Sequence, residues 1–196
     1  MTSAPAQPVN LTVIIGSNRV GRFAPVVAQW FLRQTAGDES MTTTVLDLGE
    51  TSLPERLGSP RGAETDELTA VTRQLDAADA YVVITPEYNH SFPAPLKNLL
   101  DLHYTEWQAK PVGFVSYGGL SGGLRAVEHL RQVFAELHAV TIRDVVSFHG
   151  AWERFDSDGS PRDAEGANTA ARTMLDELRW WATALKEARI RTPYKF

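Results

Sequence analysis

The sequence predicts an α/β fold: one parallel sheet of five strands with helices on both faces. Five apolar runs recur at nearly regular intervals, and the segments between them place apolar residues at helical spacing. The length of 196 residues allows one sizeable core and is marginal for two, so a single domain is expected.

Residues 1–10 are polar, with Pro5 and Pro8 and no basic or apolar block, and are expected to form a loose tail, not a signal peptide. Leu11–Ile15 is the first apolar run. Ala24–Thr35 follows with Val27, Trp30 and Phe31 on one helical face. Thr44–Leu48 is the second run, and Gly49–Ala63, rich in glycine, proline and charge, reads as a surface loop. The helix over Asp66–Ala77 carries Leu68, Val71 and Leu75 on its apolar face. Ala80–Ile84 is apolar without alternation, as a strand buried on both faces must be. Leu96–Asp101 opens a further helix, and Val112–Ser116 is the fourth run. Leu124–Leu137 is helical, with Val127, Leu130, Phe134 and Leu137 inward, and Val140–Val146 supplies the last strand. After a second surface loop, His149–Asp163, a long helix over about Ala164–Glu187 aligns Leu175, Leu178, Trp181 and Leu185. The domain is thus expected to span 11–190, with 191–196 as a C-terminal tail. Five strands in one domain favour the order 2-1-3-4-5, the flavodoxin-like three-layer sandwich.

Composition removes several classes. The net charge of −5 lacks the basic excess of a nucleic-acid binder. No cysteine is present, which excludes disulfides, thiolate nucleophiles and cysteine-held clusters and leaves a cytoplasmic location as the default expectation. No apolar stretch approaches membrane-spanning length. His103, His129, His138 and His149 show no metal-ligand spacing, and Asp156-Ser157-Asp158-Gly159 reads as a turn.

In sheets of this kind the loops at the carboxyl ends of the strands build the site, and three of them are unusual. The first is Gly16-Ser17-Asn18-Arg19-Val20-Gly21-Arg22-Phe23, leading into a helix. Its glycines let backbone approach a ligand, the helix start favours an anion, Ser17 can donate, and Arg19 or Arg22 can form a charged fork. It is neither a Gly-x-x-x-x-Gly-Lys-Ser/Thr loop nor a Gly-x-Gly-x-x-Gly fingerprint, and Asp47 at the end of the second run is a weak dinucleotide signal without those glycines. A terminal phosphate on a smaller cofactor fits better. The second loop, Pro86-Glu87-Tyr88-Asn89-His90-Ser91-Phe92-Pro93, is bounded by prolines, and Pro95 suits the first turn of the next helix. Tyr88, His90 and Phe92 can flank a flat heteroaromatic ring, Asn89 and backbone amides can read its polar edge, and Glu87 suits a salt bridge or an acid–base role. The third loop, Ser116-Tyr117-Gly118-Gly119-Leu120-Ser121-Gly122-Gly123, concentrates glycine where backbone must come close to something, with the Ser116 hydroxyl placed to meet a ring edge. No Gly-x-Ser-x-Gly elbow occurs, so a serine hydrolase is excluded.

With these loops in order, the chain resembles the NAD(P)H-dependent FMN reductases of the flavodoxin-like superfamily, a group that includes quinone, chromate and azo reductases. Gly16-Ser17-x-Arg19 is similar to the family's phosphate loop. Pro86-Glu87-Tyr88-Asn89 with Pro95-Leu96-Lys97-Asn98-x-x-Asp101 is similar to its flavin loop, and Ser116-x-Gly118-Gly119-x-x-Gly122-Gly123 to its third loop. The resemblance implies that Ser17, Arg19 and the first helix hold the FMN phosphate. It further implies that Pro86 to Asn89 line the isoalloxazine and that Ser116, Gly118 and Gly119 close its other side, with Phe23, His90 and Tyr117 among the cofactor contacts. The family's later serine and asparagine are replaced by Gly21-Arg22-Phe23-Ala24, leaving Arg22 either to substitute for those contacts or to face a neighbouring subunit. The implied activity is hydride transfer from NADPH or NADH through FMN to a quinone, flavin or similar acceptor by a ping-pong cycle, with no side chain strictly catalytic. The implied assembly is a homodimer or homotetramer, for which Leu99, Leu100, Leu102, Tyr104 and Trp107 are interface candidates. The rival is a non-enzymatic flavodoxin-like electron carrier or flavin-binding regulator, whose Thr/Ser-rich phosphate loop and strongly acidic docking face are missing here.

Overall fold

The computed structural model describes residues 8–57 and 65–196. Five parallel strands, β1 (Val9–Ile15), β2 (Met41–Asp47), β3 (Ala80–Pro86), β4 (Pro111–Gly118) and β5 (Val140–His149), lie in the order β2-β1-β3-β4-β5. The helices are α1 (Ala24–Thr35), α2 (Asp66–Ala77), α3 (Ala94–Leu102), α4 (Leu124–Glu136) and α5 (Ala164–Arg191). The flavodoxin-like order expected from sequence is the one observed. Right-handed crossovers require helices on both faces. Accordingly α1 and α5 cover one face and α2, α3 and α4 the other, each pack with its own core cluster.

The two-residue period of the strands divides their side chains between these clusters. Along β3, Ala80, Val82 and Ile84 join the α1/α5 core, while Tyr81 and Val83 join the opposite one. Because both faces are covered, all seven residues of β3 are buried, which explains an apolar run without alternation.

Several boundaries and roles differ from expectation. Residues 1–7 and 58–63, parts of the expected tail and first surface loop, lie outside the described residues. β1 begins at Val9, so Val9 and Asn10 belong to the sheet, where the Asn10 amide donates to Asp79 Oδ2 at 3.0 Å. α5 continues to Arg191, and beyond it Tyr194 returns to the body, its hydroxyl 3.0 Å from His138 Nδ1. Leu99, Leu100 and Trp107 are not interface residues of this surface: all three are fully buried on the inward side of α3 and the turn after it. β5 slips register opposite Gly113, and the free amides of Arg143 and Asp144 are received by the Glu177 carboxylate of α5 at 3.2 and 3.0 Å. That cover blunts an edge strand that would otherwise offer open backbone groups.

At the amino edge of the sheet, the buried Lys110 amine donates to the carbonyls of Leu75 and Asp76 at 2.9 Å each, closing the C-terminus of α2. Burial, helped by nearby Arg189, pushes its pKa down to about 8. Among the described residues no helix is long and apolar enough to cross a membrane.

Candidate functional site

The carboxyl ends of β1, β3 and β4 bring the three singular loops to one edge. The first is tied to the second at its root. Gly16 donates its amide to Ile84 O at 2.9 Å, and the buried Ser17 places Oγ 2.7 Å from the Tyr88 hydroxyl. Two hydroxyls bonded to each other consume one proton, so the pair retains a second for an incoming anion. Arg19 is exposed, with no ion pair among the described residues, and its guanidinium carbon lies 5.9 Å from the Tyr88 ring centre.

Arg22 takes a different position from the fork considered for it. Its guanidinium is paired in bidentate fashion with Asp47 at the end of β2, and Nη1 also donates to Ser17 O at 2.6 Å. The hydrogen bond to Asp47 raises its pKa, against the opposing effect of burial. Gly49 leaves the room: a Cβ there would meet the guanidinium at 2.2 Å. With its donors engaged in this way, Arg22 is a strut that holds the first loop to β2. Sequence left Arg22 either to substitute for the family's phosphate contacts or to face a neighbouring subunit; in this chain it is the partner of Asp47.

The second loop is a two-residue hairpin. Tyr88 and Ser91 exchange backbone hydrogen bonds of 2.8 and 3.1 Å, with Asn89 at φ 49° and His90 at φ 75°. Two successive left-handed residues define a type I′ turn, a conformation rare for most side chains but enriched for both asparagine and histidine. The turn exposes Asn89 and His90 at the edge. Ser91 Oγ lies 3.0 Å from His129 Nδ1 on α4, which fixes the turn from the side. Pro86 is buried as the last residue of β3.

The third loop folds back on itself. Ser116 is fully buried and donates to Gly122 O at 2.8 Å, and Ser147 of β5 donates to the same carbonyl at 2.9 Å. The Ser116 hydroxyl, considered from sequence for a ring edge, is turned into the loop and gives its proton to Gly122 O. Gly122 and Gly123 have φ of 60° and 86°, and a Cβ on either would collide with Ser147 or Ser116, which is why the chain needs glycine at both. Tyr117 and Phe23, expected among the cofactor contacts, pack on each other and on the core. Tyr117 is a buried core residue with its ring 6.1 Å from that of Phe23, which packs on the same core. Burial first, then Tyr88, pushes the Tyr117 phenol well above its ordinary pKa, so it stays neutral.

Glu87 clasps the second loop to the third. Ser121 Oγ donates to Oε2 at 2.5 Å and Arg125 Nε to Oε1 at 2.6 Å, with the Glu87 side chain only 6% exposed. Burial works to raise its pKa, but the hydrogen bonds from Ser121 and Arg125 prevail and hold it below the free carboxyl's 4.5. A depressed pKa stabilises the fold at pH above that unfolded value, and the stabilisation is lost as pH falls through the lower folded value. Glu87→Gln should therefore lower stability near neutral pH by about 1 kcal/mol, discounted because Arg125 is half exposed, and the melting midpoint by about 2–4 °C. It should also flatten the acid-side decline; thermal melts at a series of pH values check this, and parallel curves for the two proteins would refute it. Neither Ser121 nor Arg125 has a local sequence signal for this role, since the pairing joins residues more than thirty positions apart.

The starts of the three helices behind these loops share one property. α1, α3 and α4 have no side-chain cap and no acidic residue in the first turn. α2 and α5 are instead capped by Thr65 and Asp163, with acidic residues following. Bare helix starts leave amides and positive dipole ends available, and carboxylates would oppose an anion there. The donor set fits an anionic group at the first loop and a flat, polar-edged ring between the second and third.

Fold and loops together define a flavodoxin-like α/β protein whose three singular loops meet at the carboxyl edge of its sheet. A family model described as NADPH-dependent FMN reductase matches residues 9–153, and the chain belongs to that family. It is 38% identical over 119 residues to an NAD(P)H-dependent FMN reductase of Schizosaccharomyces pombe, a match spanning 58% of this chain and 60% of that protein. It is 34% identical over 178 residues to a probable NADPH:quinone oxidoreductase of Oryza sativa subsp. japonica, covering 84% of this chain and 88% of the other. Among solved structures, the fold is similar to the flavoenzyme NAD(P)H:(acceptor) oxidoreductase FerB of Paracoccus denitrificans. That likeness has a TM-score of 0.72 at 21% identity, over 90% of this chain and 98% of that one.

Proposed function

We propose that the protein is an FMN-dependent NAD(P)H oxidoreductase acting on a quinone, flavin or similar small acceptor. The observation that carries this reading is the meeting of Ser17, Tyr88 and Arg19, which has no ion pair among the described residues, in the loop before the bare start of α1, a donor set suited to a phosphate monoester. When bound there, FMN would supply two-electron hydride chemistry, drawing on a nicotinamide nucleotide and then serving an acceptor in a ping-pong cycle.

The chain's own part is binding and orientation. Ser17 and Arg19 hold the phosphate, while the Tyr88–Ser91 hairpin and the backbone of Gly118 and Gly119 hold the ring. The Glu87 clasp keeps the two ring-binding loops at a fixed separation. Backbone amides at the third loop stabilise negative charge near the ring, at low reorganisation cost because the loop is rigid. No ionisable side chain is required to take a proton from substrate, consistent with Glu87 being held as a charged clasp. A homodimer or homotetramer in the cytoplasm belongs to the same proposal, with Leu102 and the half-exposed Tyr104 the interface candidates that retain free surface.

The test is the absorbance spectrum of the purified protein, anaerobic bleaching with each nicotinamide nucleotide, and steady-state NADPH oxidation with a quinone. A flavin spectrum bleached by nucleotide and restored by quinone is expected. Protein that neither retains nor binds FMN would overturn the reading, and flavin binding without turnover would leave a carrier or regulator in its place.

A further inference from the structure

The loop after β5 reads from sequence as a surface connection, yet its first residues are fastened to the third loop. The Gly150 amide donates to Gly119 O at 2.9 Å, and His149 Nδ1 lies 2.9 Å from Leu120 O. Arg154 Nε donates back to His149 O at 3.1 Å, and Ala151 is fully buried in the core. The short helical turn Ala151–Glu153 is thereby pinned from both sides. Its middle residue, Trp152, nevertheless stands 59% exposed.

Isolated exposed apolar residues are ordinary. Position makes this one informative. Apart from its own chain neighbours, the one atom among the described residues that a Cβ built on Gly119 would find within 4 Å belongs to the Trp152 ring, at 4.0 Å. The space in front of Gly119 is open and bounded on one side by an indole, with Leu120 at 93% exposure as its neighbour in the same loop. Tryptophan offers a large, flat, apolar area at small conformational cost, and here the backbone beneath it is already ordered.

We propose that Trp152 is the specificity-determining wall of the acceptor pocket, the side chain against which a planar quinone packs, and that it favours bicyclic over monocyclic acceptors. This rests on the flavin reading above, because Gly119 borders the ring site only in that reading. A bicyclic ring reaches further across Gly119 than a monocyclic one and shares more area with the indole, so its affinity depends more on this residue.

The test uses the oxidised holoprotein, which has no electrons to transfer, so quinone binding can be measured at equilibrium by calorimetry. Wild type, Trp152→Ala and Trp152→Phe are first titrated with FMN, then the holoproteins with naphthoquinone and benzoquinone; the absence of cysteine removes thiol alkylation as a complication. The Kd for naphthoquinone should rise about tenfold in Trp152→Ala and less than threefold in Trp152→Phe, with benzoquinone shifting less than threefold in either. In turnover, KM for naphthoquinone should follow the same order with kcat within about twofold. Equal naphthoquinone Kd values in wild type and Trp152→Ala, with FMN binding intact, overturn this proposal alone. Failure of the wild type to bind FMN overturns the flavin reading and this proposal with it.

Discussion

Replacing Arg19 by alanine is expected to weaken FMN binding by about ten- to a hundredfold and to leave the melting midpoint of the flavin-free protein unchanged. Two features separate this arginine from its neighbour. Arg19 is exposed and carries no carboxylate partner among the described residues, so its removal breaks no ion pair and costs the fold only a long, solvent-exposed contact with the Tyr88 ring. Its guanidinium stands over Tyr88, whose hydroxyl meets Ser17, so the charge lies beside the hydroxyl pair. A charge-assisted bond to a phosphate oxygen lost from such a cluster accounts for the predicted factor. Riboflavin, which has no phosphate, provides the control: its affinity should be the same for wild type and Arg19→Ala. Titration calorimetry with both ligands checks the pair of expectations. An FMN affinity unaltered by the substitution would remove Arg19 from the phosphate site, and an equal loss for riboflavin would assign it to the ring instead.

The fold was legible because its signal is local. Apolar runs, helical spacing and the proline and glycine punctuation of the loops all lie within short windows, and each element formed within a few residues of its window, β2 starting three residues early at Met41 and β5 running three residues on to His149. The start of β1 was less legible, since Val9-Asn10 shows little apolar weight and joins the sheet through the register with β2 and the bond to Asp79. The site was legible as three loops and illegible as contacts. Glycine-rich and proline-bounded stretches announce where backbone comes close to a ligand, whereas the partner of a charged or hydroxyl side chain depends on which loops the topology makes adjacent. Ser116 and Tyr117 show the difference. Both sit in the third loop as sequence indicated, but packing turns the hydroxyl of one toward Gly122 and the ring of the other into the core. Trp152 was passed over because its loop joins the site through the Gly150 amide on Gly119 O and the His149 ring on Leu120 O, long-range contacts to backbone carbonyls that no local pattern announces.

The pairing of Arg22 with Asp47 leads to the largest expected effect on stability. Asp47→Ala should destabilise the protein by about 3 kcal/mol, lowering the melting midpoint by roughly 6–12 °C for a chain of this size. The Arg22 side chain is 11% exposed, so removing the carboxylate leaves a guanidinium in a site that excludes most water. Asp47 Oδ1 also receives the Gly49 amide at 2.9 Å, a bond lost in the same substitution. The effect stays at the lower end for a broken buried pair because Arg22 keeps its bond to Ser17 O and a 3.5 Å contact with Glu50. Replacing both partners, Arg22→Met with Asp47→Leu, removes the unpaired charge, and the double variant should be less destabilised than Asp47→Ala alone. Thermal melts of the single and double variants test this strut. FMN titration of Arg22→Met tests its other half: a drop as large as that for Arg19→Ala would return Arg22 to the phosphate, whereas a strut changes affinity by less than about threefold while lowering the melting midpoint. The first loop would then owe its shape to one arginine and its grip on the anion to the other, which is why two cations three residues apart cannot substitute for each other.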